Sequence, residues 1–211
     1  MDRFEKDLEK ILKYLFLNTC VLCGRETSPL SVLCEECETK ILKKGPSFYS
    51  ESHRNYEMFV YSDYRDELEQ LIKLYKYRKE RQLSKFLVRV FVKLYSYFPR
   101  QADMVTWIPS SLDSLEERGF DHMELIAKKI TKFLKIPAAK LLENISKGRQ
   151  VERRREERKK MGRFVCRKIP PRNIILLDDV MTTGTSIKDS VKVLLENGAN
   201  RVFVYILART T

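Results

Sequence analysis

One stretch of thirteen residues constrains the fold of this chain more than any other: IILLDDVMTTGTS, residues 174–186. Four consecutive aliphatic residues, 174–177, predict a buried strand, because such runs suit a strand that is covered on both faces. Two carboxylates, Asp178 and Asp179, follow directly. A turn rich in threonine then leads into a helix that we expect to begin near Thr185. This order predicts a polar turn at the carboxyl edge of a parallel sheet.

The rest of the chain alternates between strand-like and helix-like segments. Apolar residues recur at helical spacing in residues 66–77, 86–94, 120–134 and 187–195. Short apolar runs at 103–109 and 201–208 predict two more strands. Amphipathic helices that connect apolar strands cover both faces of a parallel sheet. We therefore predict the α/β class, with a parallel sheet flanked by helices.

Four of the five cysteines form two CxxC pairs, Cys20 with Cys23 and Cys34 with Cys37. Four thiolates at this spacing can converge on one tetrahedral Zn²⁺. The alternatives are two disulfides, which a reducing cytosol disfavours, or a redox-active pair, which needs only one CxxC. Because the protein fills all four ligand positions, the zinc would be structural. We expect residues 1–45 to form an N-terminal helix and a four-cysteine zinc finger, and residues 46–211 to form the main domain.

The residues after the predicted strand suit a sugar phosphate. At the start of a helix, unpaired backbone N–H groups attract anions, and a glycine lets a phosphate approach the main chain. The residues that would surround this phosphate are Thr182, Thr183, Gly184, Thr185 and Ser186. Carboxylates accept hydrogen bonds from a diol and can contact Mg²⁺, so Asp178 and Asp179 favour a ribose 5-phosphate. Neither a Walker loop nor a dinucleotide-binding glycine motif occurs in the chain.

Over all thirteen positions, residues 174–186 resemble the signature of the type I phosphoribosyltransferases. Three further segments extend the likeness: KLYKYRKE at 73–80, IPSSLDSLEERGFDHMELIA at 108–127 and GANRVFVYILART at 198–210. With the four-cysteine segment in front, the chain resembles the ComF (ComFC-like) competence proteins over nearly its whole length. The resemblance implies a type I phosphoribosyltransferase-like sheet and a site for 5-phosphoribosyl-1-pyrophosphate (PRPP) with Mg²⁺.

The resemblance also implies roles for individual residues. Asp178 and Asp179 would lie at the ribose hydroxyls, and residues 182–186 would surround the 5-phosphate. A loop that faces the pyrophosphate would contain Ser110, Ser111, Arg118 and Gly119. The residues support this assignment, because the turn after Pro109 also follows an apolar strand and should open on the same sheet edge. Arg118 offers a planar fork to two pyrophosphate oxygens, although it could also be a surface charge. We interpret His122 as structural.

The most basic segment spans residues 147–163, where nine basic and three acidic residues carry half of the net charge of +12. The segment admits three interpretations: a basic lid that closes over PRPP, a contact with nucleic acid, or a solvated helix with Glu–Arg pairs. The resemblance places a mobile loop of related transferases here. The residues of the predicted basic lid are Arg149, Arg153, Arg154, Arg155 and Arg158.

Two functions remain open from the sequence. One is a PRPP-binding protein that acts in DNA uptake during natural transformation, with single-stranded DNA and a competence helicase of the import machinery as partners, as the resemblance implies. The other is an active phosphoribosyltransferase that moves ribose 5-phosphate from PRPP to a nitrogen acceptor. No pattern in the chain identifies that acceptor. Because no apolar run is long enough to span a bilayer and no signal peptide is recognisable, we expect a cytoplasmic protein, which the uptake role would bring to the inner face of the membrane.

Overall fold

The computed structural model of the chain describes residues 18–28, 31–47, 49–78, 80–145 and 163–210. The strands are β1 (Asn18–Thr19), β2 (Glu26–Thr27), β3 (Ser50–Ser52), β4 (Tyr56–Asp63), β5 (Met104–Trp107), β6 (Leu142–Asn144), β7 (Phe164–Cys166), β8 (Asn173–Met181) and β9 (Arg201–Arg209). The helices are α1 (Glu35–Lys43), α2 (Asp66–Tyr77), α3 (Leu83–Tyr97), α4 (Leu112–Arg118), α5 (His122–Leu134) and α6 (Thr185–Glu196).

The main sheet has five strands in the order β3-β4-β9-β8-β5. The pairs β4–β9, β9–β8 and β8–β5 are parallel, and the short edge strand β3 is antiparallel to β4. Two short antiparallel pairs, β1–β2 and β6–β7, lie outside this sheet. This sheet, flanked by helices and preceded by a small unit with the four cysteines, confirms the predicted fold class.

Each face of the sheet has its own hydrophobic core, which explains the run of four aliphatic residues in β8. Ile175 and Leu177 belong to the core beneath α3 and α5, whereas Ile174 and Leu176 belong to the core beneath α6. Side chains of a strand alternate between its two faces, so a strand that is covered on both sides is apolar at every position. All four of these residues are fully buried or nearly so.

The helices begin and end close to the predicted positions. Helix α2 spans the predicted residues, and α6 begins at Thr185 as expected. Helix α5 begins two residues later than the predicted segment, because the Asp121 carboxylate accepts hydrogen bonds from the backbone N–H groups of Met123 and Glu124 and so caps the helix. Near the end of α5, Phe133 is 58% exposed.

The cysteine-containing unit packs on the main sheet through α1. Ile41 of α1 is fully buried in the same core as Leu68 of α2 and Tyr61 of β4. The Tyr61 hydroxyl donates hydrogen bonds to the carbonyl oxygens of Leu42 (3.0 Å) and Ile41 (3.2 Å). An ion pair between Lys44 and Glu67, at 2.5 Å, adds a link to α2. The described part of the unit therefore shares a core with the domain that follows it.

Two loops meet at the carboxyl edge of the sheet because β5 and β8 are parallel neighbours. Trp107 pairs with Leu177, and the Ile108 N–H donates to the Leu177 carbonyl oxygen at 3.0 Å. Strand β8 is longer than the four aliphatic residues suggest, since its pairing with β9 continues through Asp178 and Val180. The loop after β5 and the acidic end of β8 thus lie side by side. Among the helices of the described residues, none is both long and apolar enough to span a bilayer.

Candidate functional site

The two acids of the signature are in different environments. Asp179 is only 4% exposed, whereas Asp178 is half-buried. The Asp179 backbone N–H donates a hydrogen bond of 3.0 Å to Asp178 Oδ1. Neighbouring side chains of a strand leave it on opposite faces of the sheet, so the two acids have different neighbours. The sequence predicted a site formed by both acids, and the structure separates their surroundings.

Asp179 is held by two basic side chains. Its Oδ2 atom lies 2.7 Å from Lys76 Nζ of α2 and 2.6 Å from His122 Nε2 of α5. Burial disfavours the ionised form of Asp179, but the charge and hydrogen bonds of Lys76 and His122 outweigh this effect and hold its pKa well below the ordinary value. The carboxylate is therefore ionised, and it joins two helices to the end of β8.

His122 connects this carboxylate to the predicted pyrophosphate loop. Its Nδ1 atom lies 3.1 Å from Ser110 Oγ and 3.0 Å from Arg118 Nη1. The Tyr75 hydroxyl donates to the His122 carbonyl oxygen at 2.6 Å and so fixes the start of α5. Sequence reasoning did not assign His122 or Lys76 to the site. Neither residue forms a local motif with the acids, and only the tertiary fold brings them together.

Helix α4 and its ends contain the four residues predicted to face pyrophosphate. Ser110 and Arg118 converge on His122, as described above. The Ser111 side chain caps α4 by accepting a hydrogen bond from the Ser114 N–H at 3.3 Å. Gly119 ends the helix with a φ of 74°, a left-handed conformation that glycine adopts without strain. The structure therefore brings two of the four residues to the acids and gives the other two local roles.

Arg118 has an unused hydrogen-bond donor. Its guanidinium carbon lies 5.7 Å from the centre of the Tyr77 ring, and its Nε atom is buried without a partner among the described residues. A buried donor that lacks a partner costs about 1–3 kcal/mol. An anion that accepted this hydrogen bond would recover that cost. Arg118 is therefore suited to bind an oxygen of a ligand.

The threonine-rich turn forms the start of α6. Gly184 has a φ of 73°, so a residue with a side chain would be strained there. Thr183 Oγ1 and Thr185 Oγ1 are 3.0 Å apart, and the Ser186 hydroxyl accepts a hydrogen bond of 2.7 Å from Arg163 Nη1. The exposed hydroxyls and the free N–H groups expected in the first turn of a helix can bind a phosphate. The predicted lid residues Arg149, Arg153, Arg154, Arg155 and Arg158 lie outside the described residues.

Asp178 resists ionisation in the absence of a ligand. Burial, and then the charge of Asp179, raise its pKa to about 8, although Lys76 acts in the opposite direction. A cation or a pair of hydroxyl donors next to Asp178 would favour the ionised form. The site therefore offers one carboxyl group whose ionisation depends on a ligand and one that is ionised at neutral pH.

The four predicted zinc ligands converge at the other end of the described chain. The sulfur atoms of Cys20, Cys23, Cys34 and Cys37 all lie within 4.8 Å of one another, so the four cysteines are positioned to bind one metal ion. Gly24 turns the chain with a φ of 74° and donates its N–H to the Cys20 carbonyl oxygen at 2.8 Å. A hydrogen bond from Arg25 lowers the pKa of Cys23 to about 6, which favours the thiolate that a metal requires.

Known proteins with similar sequences include competence proteins. No protein-family model matches the chain. The chain is 27% identical to Competence protein ComFC of Bacillus subtilis (strain 168), over 89% of the chain and 75% of that protein. It is 26% identical to Competence protein F of Haemophilus influenzae over 90% of the chain and 84% of that protein. It is 22% identical to DNA utilization protein YhgH of Escherichia coli (strain K12), over 90% of each. The predicted resemblance to the ComF competence proteins is confirmed.

Solved structures with a similar fold include phosphoribosyltransferases. One of them is the orotate phosphoribosyltransferase of Aeropyrum pernix, at 18% identity and a TM-score of 0.42. The similarity covers 63% of this ComF-like chain and 63% of the enzyme.

The raised pKa of Asp178 predicts a pH-dependent stability. Between about pH 4 and about pH 8 the folded chain keeps a proton on Asp178 that the unfolded chain has lost. The stabilisation from this proton is complete at the lower pH and is lost as the pH rises through the pKa of the folded state. We expect Asp178→Asn to abolish this loss, so that the variant gains stability relative to the wild type as the pH rises across this range. Urea unfolding at several pH values measures the effect.

Asp189→Asn on α6 is the matched control and should follow the pH profile of the wild type. A profile that Asp178→Asn leaves unchanged would contradict the assignment of the proton to Asp178.

Proposed function

We propose that the protein binds PRPP with Mg²⁺ at the carboxyl edge of its sheet and acts in the handling of DNA, as a ComF-type protein of natural transformation. One observation carries the binding part of the proposal. The acidic end of β8 and the loop that contains Ser110 and Arg118 are joined through His122, within hydrogen-bond distance at each step. A ligand that has both a sugar diol and a pyrophosphate suits two such neighbouring loops.

Each part of PRPP would have its own group of protein atoms. The 5-phosphate would bind at the turn of residues 182–186, where hydroxyls and backbone N–H groups act as donors. The ribose hydroxyls would donate hydrogen bonds to Asp178. Pyrophosphate oxygens would accept hydrogen bonds from Ser110 and from the free Nε of Arg118. If the segment around Arg149 and Arg158 closes as a lid, it would add positive charge and exclude water.

The residues present also suit Mg²⁺ in this ligand complex. Magnesium prefers oxygen ligands and is commonly bound by one or two carboxylates together with substrate phosphates. Asp178 offers a half-buried carboxyl group, and a nearby cation would counteract the raised pKa of that group. Bound Mg²⁺ would supply positive charge that offsets the charge of the pyrophosphate. Asp178 is the residue that we propose to hold it.

The role in DNA handling rests on charge and on the names of the relatives. Two relatives are named competence proteins and a third a DNA utilization protein. The chain has a net charge of +12, half of it in residues 147–163. Such a segment favours contact with the phosphates of single-stranded DNA. The partners would be single-stranded DNA and a helicase of the import machinery, at the cytoplasmic face of the membrane.

We also propose that the metal of the four-cysteine cluster is a structural Zn²⁺. All ligands come from the protein, and Cys34 and Cys37 lie at the positive end of α1, which stabilises thiolates. We propose that the finger and the main domain meet between residues 45 and 46. The finger would stabilise a segment that is too small to fold by apolar burial alone.

Removal of zinc tests this assignment. We expect a chelator to release about one Zn²⁺ per chain and to speed hydrogen exchange in residues 18–45 first, because the four thiolates lose their common ligand. Exchange in β8 and β9 should change much less, and the PRPP affinity should stay within about twofold. An equal loss of protection in β8 and β9 would contradict a separately stabilised finger.

Titration of PRPP with Mg²⁺ by calorimetry tests the binding site. We expect the wild type to bind and Asp178→Asn to lose at least about tenfold in affinity, because a charge-assisted hydrogen bond is lost. Asp189→Asn should bind as the wild type does. Full PRPP affinity of Asp178→Asn would remove Asp178 from the proposed site.

A second binding experiment tests the role in DNA handling. The affinity for a labelled single-stranded oligonucleotide should fall by about a hundredfold between about 50 and about 200 mM salt, because bound phosphates release counterions. Replacement of the five lid arginines by glutamine should weaken this dependence, whereas Asp178→Asn should leave the DNA affinity unchanged. Salt-independent binding, or no binding, would contradict the proposal.

The alternative function, an active phosphoribosyltransferase, predicts that pyrophosphate is released from PRPP when an acceptor is added. Pyrophosphate would leave C1 of PRPP as a nitrogen atom of an added acceptor takes the ribosyl phosphate. Release of pyrophosphate that depends on such an acceptor would favour the enzymatic function.

A further inference from the structure

The strand geometry gives the two signature acids separate tasks. Asp179 has the same parity as Ile175 and Leu177, so it points towards the α2 and α5 side of the sheet, where Lys76 and His122 hold it. Asp178 has the parity of Ile174 and Leu176 and lies on the α6 side, which is the side of the phosphate turn. Asp178 pairs with Ile206 and Val180 pairs with Ala208, so β8 stays in the sheet on both sides of Asp179.

The carboxylate of Asp179 offers a ligand at most one oxygen, Oδ1, and little of the side chain is accessible. Its Oδ2 atom accepts from both Lys76 and His122, and its side chain is 6% exposed. The side chains that hold it are themselves buried, with exposures of 16% for Lys76 and 7% for His122. A sugar hydroxyl could replace these partners only if the buried ammonium of Lys76 lost its counter-charge and His122 lost its acceptor, which is costly.

The arginine determines how the protons of His122 are arranged. A guanidinium can only donate hydrogen bonds, so the contact between Arg118 Nη1 and His122 Nδ1 requires Nδ1 to be an acceptor. The proton of the neutral ring must then be on Nε2, where it is donated to Asp179 Oδ2. The Ser110 hydroxyl lies 3.1 Å from the same Nδ1, but that nitrogen has only one lone pair, so the hydroxyl stays able to donate to a ligand. Asp179 thereby selects the tautomer that can accept from Arg118.

We propose that Asp179 does not contact the sugar but fixes the tautomer and orientation of His122, and that His122 is a positioning residue that holds Arg118 ready for pyrophosphate. The proposal rests on the proposed PRPP site and divides it between the two acids. Asp178 serves the ribose, and the chain of contacts from Lys76 through Asp179 and His122 to Arg118 serves the pyrophosphate. The groups that face the His122 ring from the surrounding elements are Tyr75, Ser110, Arg118 and Asp179, and Lys76 contacts the same Asp179 oxygen as the ring.

Nuclear magnetic resonance of a chain labelled with ¹⁵N-histidine tests the tautomer directly. The chain has two histidines, His53 and His122, so His53→Gln assigns the spectrum. We expect the neutral His122 ring to have its proton on Nε2 in the wild type. A neutral ring with its proton on Nδ1 would overturn the proposal, because such a ring cannot accept from Arg118.

Two substitutions of His122 separate the positioning role from a purely structural one. The amide oxygen of asparagine can occupy the place of Nδ1 and accept from Arg118, whereas the amide of glutamine corresponds to Nε2 and leaves Arg118 without its acceptor. We expect His122→Gln to lower the affinity for Mg²⁺-pyrophosphate by about tenfold and His122→Asn to lower it less. Both variants should bind ribose 5-phosphate within about twofold of the wild type, whereas Asp178→Asn should lose about tenfold for that ligand.

Lys76→Met should lower the affinity for pyrophosphate as His122→Gln does, and Lys73→Met on α2 is its control. Thermal unfolding of each variant shows whether the variant folds. Equal losses for His122→Gln and His122→Asn, or a parallel loss of ribose 5-phosphate affinity, would overturn the positioning role. If the wild type bound neither pyrophosphate nor PRPP, the proposed function itself would fail. Normal binding by the wild type with the wrong pattern among the variants would overturn only the present inference.

Discussion

The buried carboxylate of Asp179 is the interaction on which the arrangement of the site depends. A charge in the interior of a protein is tolerated only when partners compensate it. Here the partners come from two helices, Lys76 from α2 and His122 from α5, and the acid comes from the central part of the sheet. The requirement to pair this one charge therefore fixes how both helices lie against the end of β8, and it brings the loop of Ser110 and Arg118 to the same place.

Helix α2 connects the site to the cysteine-containing unit. Helix α2 provides Lys76 to the site, and it also packs against α1 through the core that contains Ile41 and Leu68. The cluster of four cysteines includes the start of α1, because Cys34 occupies the N-cap position and Cys37 lies in the first turn. A metal at the cysteines would thus stabilise the helix against which α2 packs. In the resting protein, the site presents a half-buried Asp178, a turn of exposed hydroxyls and an arginine with an unused donor.

Local patterns in the sequence predicted the parts of this structure that depend on neighbouring residues. The run Ile174 to Leu177 indicated a strand covered on both faces, and the turn around Gly184 indicated the start of a helix. The spacing of the CxxC pairs indicated a metal cluster. The different tasks of Asp178 and Asp179 were not predicted, because the strand was expected to end before them and in fact continues to Met181. Lys76 was not predicted as a site residue, because its partner is distant in sequence and a lysine among the basic residues of 73–81 gives no local signal.

The most direct test is a structure of the chain with PRPP and Mg²⁺ bound. We expect the ribose hydroxyls to bind to Asp178, the pyrophosphate to bind beside Arg118 and Ser110, and Asp179 to keep its contacts with Lys76 and His122. A sugar held by both carboxylates, with Lys76 and His122 displaced, would contradict the division between the acids. A ligand bound away from this edge of the sheet would contradict the site itself.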